Sequence, residues 1–292
     1  MSLMKSPKHI LVTGSSGFIG THLTTALAKK GYKVITSTRE NLLPLHLEGT
    51  IHGIIHLGGK HIFGRWTPDF KKAIYNSRID STRQMIQSVS TWKNKPVVFM
   101  CASAFGIYGD KKEQLVDESS KPGTDFLATL CVDWESEAKK AEGIGIRSVQ
   151  IRITHVLGKK GLLAPLYLPF KLGFGAWIGK GSGWFPWVHI DDLIHAILFV
   201  LETPTISGPV NICSPQSVRQ KEFMILFGKS LHRWVVFQIP IFLLRLRYGS
   251  LADTFKNSAK LSSQKLLDAG FRFKFNTLKD AFLDITSKKI PT

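Results

Sequence analysis

The chain has 292 residues, 43% of them hydrophobic, enough to bury a sizeable core and too apolar for a disordered chain. Its 39 Lys and Arg against 21 Asp and Glu leave a formal charge of +18, which attracts phosphate-bearing ligands, nucleic acid or anionic surfaces. The cations come as scattered pairs such as Lys29-Lys30, Lys71-Lys72, Lys111-Lys112, Lys139-Lys140 and Lys159-Lys160, without interleaved aromatics, so a solvated basic surface is expected and a nucleic-acid partner is not.

Three cysteines, Cys101, Cys131 and Cys213, are too few and too dispersed for a disulfide framework or a zinc site, and a reducing cytoplasm is the expected location. No stretch reaches the about 18 apolar residues of a membrane span, so no membrane partner is expected.

Residues 9–13 form a short apolar run ending in a glycine-rich turn, and Ile19, Leu23 and Leu27 then recur on one helical face. Gly31 stops that helix. Residues 33–37 read as a second strand and 53–57 as a third ending in Gly58-Gly59. A long helix is expected over 68–89, with Phe70, Ile74, Met85, Ile86 and Val89 as its apolar positions, then a strand over 96–101, a helix over 126–141 and a strand over 147–153. Strands alternating with helices imply a parallel sheet with right-handed crossovers, whose ligands sit at the carboxyl ends of the strands. After Gly158 a Gly-, Pro- and Trp-rich stretch runs to Trp187. A helix over 191–201, a strand over 209–213 and helices near 218–228, 262–269 and 278–285 follow. The expected fold class is α/β: a Rossmann-type doubly wound parallel sheet over 1–158, with 187–213 returning to it, and a smaller C-terminal α+β lobe over 159–292.

Within the first turn, Gly14, Ser15, Gly17, Phe18, Ile19 and Gly20 carry the spacing G-x-x-G-x-x-G between a strand and a helix. Small residues let the backbone approach a pyrophosphate, and the helix N-terminus offers it unpaired N–H groups and a positive dipole. At the end of the second strand, where an acid would hydrogen-bond a ribose 2′-hydroxyl, stand Thr38 and Arg39. A guanidinium suits a 2′-phosphate, so NADP(H) is expected over NAD(H), with Glu40 next door as the competing signal.

The whole chain resembles the extended short-chain dehydrogenase/reductases, and within them the atypical epimerase-family branch of NAD-dependent epimerase/dehydratase-like proteins with a C-terminal extension. The resemblance rests on residues 11–20, on Arg65-Trp66-Thr67-Pro68 with Ser77-Arg78-Ile79-Asp80, and on Ser103-Ala104 running to Tyr108-Gly109-Asp110. It continues through 125–128, Asp133-Trp134-Glu135, residues 187–193, Gly208-Pro209-Val210-Asn211 and 266–271. It implies a cofactor lying across the strand ends, touching the glycine turn, Thr38, Arg39, Leu57, Gly58 and Gly59. It also implies a nicotinamide near Ser103 and His155, with Arg78 reaching in from the long helix.

Hydride-transferring members of that group use a Tyr-x-x-x-Lys pair on the helix after the fifth strand, with a serine orienting the substrate oxygen. Ser103 fits the serine. The helix around 127–135 has no tyrosine, and its i, i+4 pair is Cys131 with Glu135. The two literal matches, Tyr108 to Lys112 and Tyr167 to Lys171, span a Gly-Asp turn and Pro169 respectively, so neither pair is expected on one regular helical face. The catalytic candidates are therefore Ser103 to polarise a substrate oxygen, Tyr108 to move a proton and Cys131 as a nucleophile. His189, Asp191 and Asp192 open a helix and are read as its caps, with no metal expected. Trp66, Trp177, Trp184 and Trp187 are read as walls of a substrate cleft or as packing. The expected function is an NADP(H)-binding oxidoreductase or epimerase-like enzyme on a small-molecule substrate. The alternative is a non-catalytic NADP(H)-sensing protein acting through a protein partner.

Overall fold

The computed structural model describes residues 8–37 and 51–287. The first half runs β1 (His9–Thr13), α1 (Phe18–Lys29), β2 (Lys33–Ser37), β3 (Ile51–His56), α2 (Pro68–Ser90), β4 (Val98–Ala104), β5 (Leu115–Val116), α3 (Phe126–Lys139) and β6 (Arg147–Ile153). It continues with β7 (His155–Leu157), α4 (Ala164–Lys171), β8 (Ala176–Ile178), β9 (Trp187–His189), α5 (Ile190–Glu202) and β10 (Gly208–Ile212). The last part holds α6 (Gln220–Ser230), β11 (Phe237–Ile239), α7 (Ile241–Tyr248), α8 (Leu251–Thr254), β12 (Lys260–Leu261), α9 (Gln264–Asp268) and α10 (Leu278–Ser287).

Six strands form one parallel sheet in the order β10-β6-β4-β3-β1-β2. The chain leaves β1 for β2 on one side and returns to place β3 on the other, so a topological switch point opens between β1 and β3. Alternation along each strand feeds two cores. Ile10 and Val12 of β1 join Leu23 and Leu27 of α1 and the apolar face of α5. Leu11 faces the other way, into the cluster of Ile54, Met85, Phe99 and Trp134 under α2 and α3. Helix starts follow ordinary capping: the Thr67 side chain accepts from Phe70 N with Pro68 in the first turn of α2, and Asp125 accepts from Ala128 N at the start of α3. A third core, including Phe170, Trp187, Phe223, Phe227 and Phe282, belongs to the C-terminal half.

Two expectations are corrected. Residues 167–171 are helical after all, as the end of α4, and Lys171 Nζ lies 5.9 Å from the Tyr167 ring centroid. Pro169 is tolerated because the helix ends at Lys171, so the missing donor forfeits a single bond in a short element. The acids at the start of α5 do not act together as caps. His189 is the N-cap, its Nδ1 accepting from Asp191 N at 3.2 Å. Asp192 is buried and accepts the backbone N–H groups of Lys274 (2.8 Å) and Phe275 (2.9 Å), pinning the C-terminal segment to α5.

Candidate cofactor and substrate site

The glycine turn is built for contact with backbone on one side and a ligand on the other. Gly14 has φ +67°, and a Cβ there would stand 2.9 Å from the carbonyl carbon and oxygen of Leu57. The first turn thus closes directly on the end of β3 at the switch point. A Cβ on Gly20 would fall on Gly14 O and within 2.7 Å of Ser15 Cα. Helix α1 starts at Phe18 behind Gly17, with no side-chain cap and no acid in its first turn, so its N–H groups and dipole are available to an anion. The Phe18 ring packs against Gly158 and Gly161, where an added Cβ would lie 2.6 Å and 2.9 Å from ring atoms. At the end of β2 the Ser37 hydroxyl is buried and has no hydrogen-bond partner among the described residues. Thr38 and Arg39, which follow it, lie outside the described residues.

The floor of the crevice is a hydrogen-bond chain. Gly58 N donates to Thr13 Oγ1 (3.1 Å), Thr13 Oγ1 meets His56 Nδ1 (2.6 Å), His56 Nε2 meets Ser81 Oγ (3.1 Å), and Ser81 Oγ donates to Ser77 O (2.8 Å). Every link is satisfied when Thr13 donates to Nδ1 and the proton sits on Nε2, a neutral ring. Burial first, and the Arg78 charge second, lower the His56 pKa from 6.5 to about 4. The folded protein keeps His56 neutral where the unfolded chain takes up a proton, so stability is complete above pH 6.5 and falls as pH drops toward 4. The expected loss is roughly 3 kcal/mol. Urea unfolding of wild type and His56→Gln across that window checks it: the variant should lose clearly less stability between its neutral and acid ends.

Arg78 braces the next residues of the same loop. Its Nη1 donates to Lys60 O (3.0 Å) and Ile74 O (3.2 Å), while Lys60 N donates to Ser77 Oγ (2.9 Å). The guanidinium also lies 5.2 Å from the Trp134 ring, and a Cβ on Gly59 would lie 3.0 Å from its Cζ. The loop 57–60 therefore owes its course to Arg78 and to the absence of a side chain at Gly59.

Ser103 sits at the carboxyl end of β4, its Oγ 2.6 Å from Glu135 Oε1 on α3. Glu135 is gripped from below by Arg152, with Nε to Oε1 and Nη2 to Oε2 both at 2.8 Å. Arg152 Nη1 donates onward to Tyr108 Oη (2.8 Å) and Glu118 O (3.1 Å), Tyr108 Oη donates to Asn211 Oδ1 (2.7 Å), and Asn211 N donates to Glu118 Oε1 (2.7 Å). Sequence reasoning missed Arg152, Asn211 and Glu118. A signal existed for the first of them: a charge within the apolar run of a doubly covered strand requires a buried partner.

This network changes the reading of the catalytic candidates. Tyr108 has no exposed surface, its hydroxyl is engaged by Asn211 and Arg152, and burial pushes its pKa up to about 12. It is a strut of the network, and a proton-transfer role does not fit that placement. Cys131 is buried, and desolvation pushes its thiol up to about 12, the reverse of the depression that activates a nucleophile. Ser103 is buried too, at 3% exposure, but unlike the other two it stands near the end of β4 with its Oγ on the Glu135 carboxylate. His155 is clamped between aromatic rings, stacked on Phe185 at 3.8 Å and tilted against Phe105 at 4.7 Å, with Nδ1 donating to Pro186 O at 2.8 Å. The four tryptophans do not gather in one cleft. Trp187 is a core residue of the C-terminal half, Trp66 packs with Ile74 and Leu130, and Trp184 binds Glu113 under the Arg219 guanidinium. Tertiary folding also brings Asp284 of α10 to His189 and Asp191, their ligand atoms all within 4.8 Å of one another.

A family model described as "NAD dependent epimerase/dehydratase family" matches residues 10–213, the stretch that runs from β1 to the end of β10 and contains the whole six-stranded sheet. The chain belongs to that family. A second model, "Domain of unknown function (DUF1731)", matches residues 239–285, from the end of β11 into α10. Among curated relatives, epimerase family protein YfhF of Bacillus subtilis (strain 168) is 32% identical over 299 residues, covering 96% of this chain and 99% of that protein. The chloroplastic epimerase family protein SDR39U1 homolog of Arabidopsis thaliana is 32% identical over 303 residues, covering 96% and 87%. The crystal structure of human epimerase family protein SDR39U1 (isoform2) with NADPH is similar throughout, with a TM-score of 0.91 at 28% identity, covering 96% of this chain and all of that one. This member of the epimerase family thus has the family's NAD(P)-binding fold. Its departure from the hydride-transferring pattern lies on α3, where Cys131 and Glu135 occupy the i, i+4 positions.

Proposed function

We propose that this epimerase-family protein binds NADP(H) across the switch point and is a hydride-transferring enzyme, of oxidoreductase or epimerase type, on a small molecule held at Ser103. The observation that carries the reading is the uncapped start of α1 behind a glycine turn that closes on Leu57 and Gly58. Gly14, Ser15, Gly17, Phe18, Ile19 and Gly20 would hold the pyrophosphate, Leu57, Gly58 and Gly59 would pass beneath it, and Arg78 would fix that loop. The Ser37 hydroxyl, without a partner among the described residues, and the Thr38 and Arg39 that follow it in sequence suit a 2′-phosphate, in keeping with the NADPH in the human relative's structure.

Such a cofactor supplies or takes up a hydride at the carboxyl end of the sheet. The chain's own part is at Ser103: its one proton goes to Glu135 Oε1, which leaves the Oγ lone pairs to accept from a substrate hydroxyl. Glu135 orients that hydroxyl and Arg152 fixes Glu135, so the serine approaches from one direction. Three buried, unbridged cysteines suit a reducing compartment such as the cytoplasm. The second reading, a non-catalytic NADP(H) sensor, is favoured by the burial of Tyr108 and Cys131.

Titration with NADPH and NADH, followed by fluorescence and melting temperature on wild type and Arg39→Ala, tests the cofactor. NADPH should bind at least tenfold more tightly than NADH, and the preference should vanish in the variant. Absence of binding by either nucleotide overturns the assignment. A substrate screen with bound cofactor then separates the two readings: turnover that Ser103→Ala reduces by about 100-fold supports the enzyme, and tight cofactor binding without turnover supports the sensor.

A further inference from the structure

The C-terminal half carries an apolar face that the cofactor and substrate reading leaves unused. Helix α7 has no buried residue, and Phe242, Leu243 and Leu246 are all exposed. At spacings of one and four residues these three share one side of the helix, which turns outward. The neighbouring elements continue the pattern. Arg233 Nε donates to Lys171 O at 2.8 Å, which ties the segment ahead of β11 to the end of α4. Strand β11 pairs with β8 so that Phe237 stands opposite Ala176, two residues beyond Phe174. A Cβ on Gly179, after β8, would lie 3.0 Å from Ile241 at the start of α7. Trp234 is 86% exposed, Leu246 72% and Phe174 68%. Side chains of this size are rarely left in water together without a partner.

The segments that form this face carry charge of one sign. Residues 164–189 contain Lys171 and Lys180, residues 229–250 contain Lys229, Arg233, Arg245 and Arg247, and neither segment holds an Asp or Glu. Among the described residues, the ion pair on these segments is Arg245 with Asp253 at 2.6 Å. A second copy would bring the same cations against themselves, which costs energy. An anionic lipid surface neutralises them and takes up the aromatic and leucine side chains. A tryptophan projecting beside lysine and arginine is the composition that settles at a bilayer interface.

We propose that this protein docks reversibly on anionic membranes through the face formed by the end of α4, the β8–β11 pair and α7. No helix among the described residues is long and apolar enough to cross a bilayer, so the attachment is peripheral, and it places a membrane among the partners despite the expectation from sequence. The proposal does not depend on the cofactor assignment.

Sedimentation with vesicles of phosphatidylcholine alone, or containing phosphatidylglycerol, tests it, using full-length wild type and the Phe174→Glu/Leu246→Glu double variant. Wild type should sediment with the anionic vesicles at least tenfold more than with neutral ones and release as salt rises. The double variant should lose that binding while its melting temperature and NADPH affinity stay at wild-type values, because both positions are exposed. Failure to bind anionic vesicles, equal binding to neutral ones, or a dimer in light scattering that the double variant splits would each overturn the proposal.

Discussion

Gly20→Ala is expected to abolish measurable NADPH binding and to lower the melting temperature by about 2–12 °C. The new Cβ falls on Gly14 O and within 2.7 Å of Ser15 Cα, so the clash is with backbone, which has no rotamer to escape into. Relief requires moving the turn away from α1, and that turn is the segment proposed to hold the pyrophosphate. Overpacking of this kind costs about 1–3 kcal/mol, which for a chain of this size gives the stated shift in melting temperature at about 2–4 °C per kcal/mol. On the proposed assignment the loss of binding exceeds the loss of stability, because the displaced atoms would themselves be the ligand contacts. Gly143→Ala is the matched control, since a Cβ there meets nothing within 4 Å, and it should leave both properties unchanged. Fluorescence titration and thermal melts of the two variants decide the matter. A Gly20→Ala protein that binds NADPH as wild type does would sink the assignment of the turn.

Removing Arg152 should be the most destabilising single change in the network beneath Ser103. Its side chain is 7% exposed and Glu135's 13%, so Arg152→Met leaves a carboxylate without its counter-charge in a low-dielectric setting and Tyr108 Oη without its Nη1 donor. Breaking a buried pair from one side costs about 3–5 kcal/mol, while replacing both members by apolar groups is often nearly neutral. The double variant Arg152→Met/Glu135→Leu should therefore recover a large part of the loss, giving a favourable coupling of about 2 kcal/mol or more in a double-mutant cycle. Urea midpoints of the wild type, both single variants and the double supply the cycle. A cost below about 1 kcal/mol for Arg152→Met would show that water reaches Glu135 and that the pair does not organise the site. In the double variant Ser103 Oγ loses its acceptor, so its stability and its turnover should part company: the fold recovers and the alignment of Ser103 does not.

The sheet was legible because each strand carries its own local signal. Five-residue apolar runs punctuated by glycine, and a helical face repeated at Ile19, Leu23 and Leu27, reflect burial by the nearest neighbours in the chain. The glycine turn was legible for a related reason: its demands are backbone demands, and only glycine meets them at 14 and 20. Short elements of the C-terminal half escaped. Helix α4 hides behind Pro169, and α7, with Leu243 and Leu246 exposed, lacks a buried apolar stripe to mark it as a helix.

The candidate site divides in the same way. The glycines follow from position in the strand and helix order, and the expectations for Ser103 and Arg78 from the family resemblance. Tyr108 looked equally well placed at a strand end, and only the fold shows that Arg152 and Asn211 have drawn it inside. Asp192 had the appearance of a cap until the backbone of Lys274 and Phe275 arrived from the far end of the chain.

The sequence by itself determined the alternation of strand and helix, the parallel sheet, the glycine turn and the absence of a tyrosine from α3, because each depends on residues within a few positions of one another. The tertiary structure alone decided which polar groups meet, which titratable groups lose water and which apolar face stays uncovered. Those outcomes depend on pairings between distant segments, such as Ser103 with Glu135, Glu135 with Arg152 and β8 with β11, whose partners no local pattern specifies.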